Sequence, residues 1–239
     1  MSAARRALDA AKRRVPGAYW RVRTAASLVG WYAQRARHRL RGADESPFDE
    51  DFWRRNESGD WAGFARTILR HAPAGSALDV GCGDGKLLAA MAAASPGLRA
   101  MGVDSSPPAL ERARARGIEA RALDLAGTRP AGVDAFARGL GTFDLAISLE
   151  TAEHFPAWHS AKLLRLLTAC APAIVFSGAQ PLQGGVLHVN ERPVEHWIAR
   201  FREMGYEPSP ANDAFRQELR ALDLPPWYAA NANLFVRRG

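Results

Sequence analysis

Short apolar runs alternate along most of this chain with longer segments whose apolar positions recur every three to four residues. Ala77–Val80, Arg99–Val103, Ile118–Leu123, Phe143–Leu149 and Ala173–Phe176 have the length and β-branched content of buried strands. Trp61–His71, residues 85–94, the stretch from Pro107 to Gly117, Trp158–Cys170 and Glu195–Met204 carry the helical period. Ser95-Pro-Gly97 ends one of these helices, and Ser105-Ser-Pro-Pro108 opens another, since proline fits a helix's first turn. Residues 126–142 read as a polar, glycine-containing connection, and Leu234–Arg237 as a last strand. Strands separated by helices predict an α/β architecture, a mostly parallel sheet with helices on both faces.

The connection after the first strand carries the chemistry. Leu78-Asp79-Val80 runs into Gly81-Cys82-Gly83-Asp84-Gly85, and the next strand ends in Val103-Asp104. Alternate glycines allow a tight turn and let backbone approach a ligand closely, while the following helix offers unpaired N–H groups. An acid at the end of the second strand stands where doubly wound folds bind ribose hydroxyls. The combination predicts a nucleoside site. It is not a dinucleotide fingerprint, because the sixth position is Lys86 rather than glycine, and no Gly-Lys-Ser/Thr ending makes it a P-loop.

Charge divides the chain. Residues 1–42 hold eleven Lys/Arg against the single acid Asp9, a balance of +10, and residues 43–239 hold a balance of −3. The reading is a basic N-terminal arm, expected to be helical in two pieces around Pro16-Gly17, on a mildly acidic body. Arginine interleaved with Tyr19, Trp20, Trp31 and Tyr32 suits an anionic surface, a membrane or a nucleic acid, and equally a lid helix over the site. Two cysteines, Cys82 and Cys170, are too few for a disulfide framework. With no apolar run near 20 residues and no signal-like start, the expected location is the cytoplasm, or the inner face of the membrane through the arm.

Leu78-Asp79-Val80-Gly81-Cys82-Gly83-Asp84-Gly85 with Val103-Asp104 resembles the first motifs of class I S-adenosylmethionine-dependent methyltransferases. Ser148-Leu-Glu-Thr-Ala-Glu-His-Phe155, Val175-Phe-Ser-Gly-Ala179 with Gln180-Pro181, the run Gln183–Pro193 with Trp197, Trp227-Tyr228, and Phe48-Asp-Glu-Asp-Phe52 are similar to one bacterial group of these enzymes, whose members resemble glycan and natural-product tailoring O-methyltransferases. The match covers roughly residues 46–239 and leaves out the arm. The group usually reads Tyr-x-Gln-Asn where this chain has Tyr228-Ala-Ala-Asn231, which bears on any glutamine contact there and on the acceptor.

The resemblance implies a Rossmann-like fold with a seven-stranded sheet and a cofactor site. Asp79, Gly81, Cys82, Gly83 and Gly85 would approach the methionine part of S-adenosylmethionine, Asp104 and Ser105 the ribose, Asp124 and Leu125 the adenine, with Glu150 facing the cofactor. His154 and His188, in loops at the strands' C-terminal edge, are the candidate bases for a hydroxyl acceptor. Substrate contacts are expected from Asn190, Glu191, Trp227 and Tyr228. No metal is favoured; the alternative is a divalent cation on Glu150, Glu153, His154 and His188. The function expected is O-methylation of a sugar, glycan or natural-product hydroxyl. Two alternatives stay open: an RNA or other nucleic-acid methyltransferase, and a non-catalytic cofactor-binding scaffold.

Overall fold

The computed structural model describes residues 25–33, 35–36 and 58–239. Expectations for residues 1–24, the Pro16-Gly17 break among them, and for Phe48–Phe52 lie outside the described residues.

Residues 25–33 and 35–36 are helical and are called the arm helix here. The body then runs α1 (Trp61–His71), β1 (Ser76–Val80), α2 (Lys86–Ala94), β2 (Arg99–Asp104), α3 (Pro107–Ala115), β3 (Glu119–Ala122), α4 (Pro130–Leu140) and β4 (Leu145–Ser148). A 3-10 turn (Ala152–His154) leads to α5 (Ala157–Cys170), β5 (Ala173–Phe176), α6 (Val194–Glu203), β6 (Tyr206–Pro208), α7 (Asn212–Leu219), α8 (Pro226–Asn231) and β7 (Asn233–Arg237). The sheet order is β3-β2-β1-β4-β5-β7-β6. Strands β1 to β5 are parallel, while β7 runs antiparallel between β5 and β6. This is the seven-stranded, Rossmann-like α/β sheet that the resemblance implied.

Both faces of the sheet are covered, so neighbouring strand residues enter different cores. Leu78, Ala146, Ile174 and Phe235 pack on one side with residues of α4, α5 and α6. Ala77, Ile147, Val175 and Leu234 pack on the other with residues of α1, α2 and α7. Side chains alternate across a strand, and burial on both faces leaves no polar side to the pattern. That is why these strands read as continuous apolar runs.

The connection expected at residues 126–142 contains a helix instead. In α4, Val133, Ala137 and Leu140 form a buried stripe at helical spacing. Gly132, Asp134 and Gly139 dilute that stripe until it looks like loop. The short edge strand β6 also gave no sequence signal. It contains Pro208, which an edge position tolerates because one side of its backbone needs no ladder donor.

Candidate active site

The C-terminal ends of β1, β2, β4 and β5 open into one cavity of about 870 Å³, at the upper end of the usual range for small-ligand sites. Its floor is the glycine loop. Gly81, Gly83 and Gly85 have φ of 84°, 54° and 73°, in the left-handed region that a Cβ disfavours. At Gly81 a Cβ would also lie 2.3 Å from the Thr151 hydroxyl, so this glycine lets the β4 loop close over β1. Gly85 plays a different part from the one expected. It does not line the cavity, and its missing Cβ admits Ala113 of α3 at 2.8 Å. The third glycine therefore seats a helix.

Asp104 accepts from the backbone N–H of Gly83 at 3.0 Å and of Ser106 at 2.9 Å, and it lines the cavity. One carboxylate thus shapes the loop while facing the ligand space. Burial raises its pKa, and the backbone N–H groups of Ser106, Gly83 and Ser105 pull the other way. Asp79, behind it, is pushed up to about 8 by burial and by the charge of Asp104. Between pH 4 and 8 the folded chain therefore holds a proton on Asp79 that the unfolded chain releases, so this residue's contribution to stability falls as pH rises through that window. The ligand-free Asp79→Asn variant is expected to match the parent near pH 3 and to exceed it by a few kcal/mol at pH 9. Urea denaturation at both pH values measures this, and a difference independent of pH would contradict it.

Ser105 and Leu125 line the cavity, as do Cys82 and Glu150. Asp124 lines it too, but its carboxylate is engaged from another direction. Arg35 of the arm helix donates to both oxygens, at 3.1 and 2.6 Å, and Gly127 N–H donates at 3.0 Å. Partial burial opposes the charge on Asp124, yet the Arg35 and Gly127 donors hold its pKa below the usual carboxylate value. An adenine amine at this position would share an acceptor that the arm already occupies.

The opposite wall is built by the loops after β4 and β5. Glu150 sits at φ 50°, a strained conformation for a non-glycine residue. It is held there by Ser177, whose hydroxyl accepts from Glu150 N–H, and by two amides. Gln183 donates to its Oε2 at 2.6 Å and Asn231 to its Oε1 at 3.0 Å, while Asn231 also donates to Gln183 at 2.8 Å. Gln183 and Asn231, from different segments of the chain, thus hold Glu150 between them. Spacing along the chain gave no sign of this.

Val189 and Asn190 N–H both donate to the Glu153 carbonyl, which pins the second loop to the 3-10 turn. His154 and His188 thereby meet edge to face, with ring centroids 5.0 Å apart. Burial and neighbouring His188 push the His154 pKa down to about 3, which weakens it as a proton acceptor at neutral pH.

Asn190 and Glu191 do not line the cavity. Both are buried behind it, which corrects their reading as acceptor contacts. Asn190 accepts from Arg192 at 2.8 Å. Glu191 accepts from Leu182 N–H at 3.0 Å, Gly184 N–H at 2.8 Å and His188 Nδ1 at 3.1 Å. A carboxylate can only accept, so Nδ1 carries the proton and Nε2 is turned toward Glu153, 4.0 Å away. Trp227 and Tyr228 do line the cavity, and Tyr228 is braced against Trp61 and Phe64.

Residues 78–173 match the family model described as a methyltransferase domain. Solved structures share the fold. The mitomycin 7-O-methyltransferase is 20% identical with a TM-score of 0.55, over 82% of this chain and 59% of that one. This chain thus spans less than two thirds of that protein's length. A sugar N-methyltransferase from Streptoalloteichus sp. ATCC 53650 is 18% identical with a TM-score of 0.58, over 80% of this chain and 93% of that one. An amino pentose methyltransferase from Micromonospora echinaspora, solved with S-adenosylmethionine bound, is 17% identical with a TM-score of 0.55, over 81% of this chain and 99% of that one. Over residues 78–173 the chain carries a methyltransferase domain, on the Rossmann-like fold of the class I S-adenosylmethionine-dependent methyltransferases. No curated protein sequence gives a significant match.

The arm helix walls one side of the site, as the lid-helix reading of the arm expected, through residues that sequence reading did not single out for it. Trp31 is buried, its ring stacks on His159 and its indole N–H donates to the His154 carbonyl at 2.9 Å. Trp31 and Arg35 both line the cavity. An aromatic residue four positions before an arginine is a common surface pattern on a helix, so the sequence held no signal for this docking.

Proposed function

We propose that the protein transfers a methyl group from S-adenosylmethionine to a hydroxyl of a sugar, glycan or natural product. The observation that carries this reading is the placement of two different chemistries on facing walls of one cavity. The glycine loop with Asp104 and Asp79 suits a cationic nucleoside, while the Glu153–His154–His188 corner suits an acceptor oxygen.

Asp104 would hold the ribose hydroxyls through charge-assisted hydrogen bonds. The cofactor's sulfonium and ammonium charges would favour ionised Asp79, offsetting the burial that raises its pKa. Trp227, exposed at the cavity wall, would present a ring that suits a sugar, with Tyr228 packed behind it. The acceptor oxygen then attacks the methyl carbon in line with sulfur. The C–S bond would break, its electron pair staying on sulfur as the thioether of S-adenosylhomocysteine, and the hydroxyl proton would pass to solvent beside the Glu153–His154–His188 corner. Positioning and exclusion of water supply most of the rate. By their names, one of the similar proteins is a mitomycin 7-O-methyltransferase, one a sugar N-methyltransferase and one an amino pentose methyltransferase, which supports a sugar or natural-product acceptor; the choice of oxygen is this proposal's own. The test is methyl transfer from labelled cofactor to a panel of glycan and natural-product hydroxyls, and label appearing only on nitrogen or on RNA would overturn the reading.

The partner proposed for the arm is an anionic membrane surface at the inner face of the cell membrane. Val29 and Tyr32, three residues apart on the arm helix, and Trp158 are exposed beside an arm of charge +10. Among the described residues no helix is long and apolar enough to cross a membrane, so the contact would be peripheral. The full chain is expected to sediment with vesicles containing phosphatidylglycerol at low salt. Binding should be lost on pure phosphatidylcholine and fall at least severalfold in a Tyr32→Ser/Trp158→Ser variant. Equal binding to neutral and anionic vesicles would contradict this.

A further inference from the structure

The corner formed by the 3-10 turn and the loop after β5 has an unusual polar balance. The Glu153 side chain is fully buried, and neither of its carboxylate oxygens has a hydrogen-bond partner among the described residues. The backbone N–H groups of Glu153 and Ala179 face it, but neither closes a hydrogen bond. A buried, unpartnered carboxylate is costly, and either a proton or a cation must offset it. One ligand atom from each of Glu153, His154 and His188 lies within 4.8 Å of the others, and all three residues line the cavity.

The surroundings are those of a ligand set. Glu191 fixes the His188 ring through Nδ1, which leaves Nε2, the other nitrogen, toward Glu153. A carboxylate behind an imidazole is the usual way to orient a metal-binding histidine. The main-chain bonds from Val189 and Asn190 to the Glu153 carbonyl lock the two loops together, so the donors belong to one rigid unit. Glu150 is not among the residues whose ligand atoms converge within 4.8 Å; its oxygens accept from Gln183 and Asn231.

We propose that Glu153, His154 and His188 form a binding site for a first-row divalent metal cation, open toward the cavity. One carboxylate oxygen and two imidazole nitrogens favour manganese, iron, cobalt, nickel or zinc over magnesium or calcium. Donor atoms around such an ion at about 2.1 Å lie roughly 3 Å apart, so the three side chains close by about 1 Å on binding. The remaining coordination positions face the cavity, where an acceptor oxygen can occupy one. A hydroxyl bound there loses its proton to solvent more readily, and the resulting oxyanion attacks the methyl group. Only this last assignment rests on the proposed O-methyl transfer; the cation site stands without it.

The test is cobalt(II) titration of the full chain after chelator treatment, followed by visible ligand-field absorption and metal content. One saturable cobalt per chain is expected, with affinity lowered at least tenfold in both Glu153→Gln and His188→Ala. His196→Ala, on α6 away from the corner, should bind as the parent does. Each variant's fold is checked by its affinity for S-adenosylhomocysteine; if Glu153→Gln fails that check, His188→Ala carries the comparison. No cobalt uptake, or parental affinity in a folded corner variant, overturns the site. Cobalt bound as expected with no methyl transfer to any hydroxyl would instead overturn the proposed activity and leave the site standing.

Discussion

Asp104→Ala is expected to weaken S-adenosylhomocysteine binding by a hundredfold or more, measured by titration calorimetry. Two hydrogen bonds from ribose hydroxyls to a charged acceptor are worth about 1.5–3 kcal/mol each, which sums to two or more factors of ten. The substitution acts a second time through the protein. Gly83 and Ser106 N–H lose their acceptor, so the glycine loop loses the bonds that shape it before any ligand arrives. Asp104→Asn separates the two contributions. Its amide oxygen can still accept one backbone bond, so it should bind more tightly than the alanine variant and more weakly than the parent. Unchanged affinity in Asp104→Ala would mean that the cofactor does not sit at the end of β2.

Glu191→Ala is expected to lower turnover by about a hundredfold, with cofactor affinity changed less than threefold. Glu191 does not line the cavity, so the effect must travel through the groups it holds. Two are main-chain N–H groups of the loop that carries Gln183, and the third is His188 Nδ1. Removing an orienting carboxylate of this kind costs roughly 10–100-fold, and the loosened loop adds to it. A merely structural role would lower thermal stability and turnover together and leave the pH profile of turnover unchanged. A positioning role predicts that the pH profile shifts, and that Glu191→Gln recovers part of the activity because its amide oxygen can still accept. Parental turnover in Glu191→Ala would show that His188 needs no orientation, and the proposed chemistry of this corner would lose its support.

The sequence by itself determined the sheet's central strands, the glycine loop and the acid that ends β2. These are local decisions: a strand buried on both faces must be apolar throughout, and left-handed backbone beside a close neighbour needs glycine, as at Gly81. Elements whose burial is thin left weaker marks. The stripe of α4 has three buried residues spread between glycines, and β6 is three residues long at an edge.

Only the tertiary structure decided the working corner and the arm. Glu153 and His188 lie 35 positions apart, and Gln183 reaches Asn231 across 48 and Glu150 across 33. Such pairs are set by how loops cross at the sheet's edge, and no local periodicity encodes a crossing. The same holds for Arg35 and Asp124, 89 positions apart. Whether a glutamate faces the cavity, as Glu153 does, or holds a histidine from behind, as Glu191 does, depends on burial and on which donors surround it. Residue type is the same in both, so the sequence named the chemistry and the packing assigned the roles.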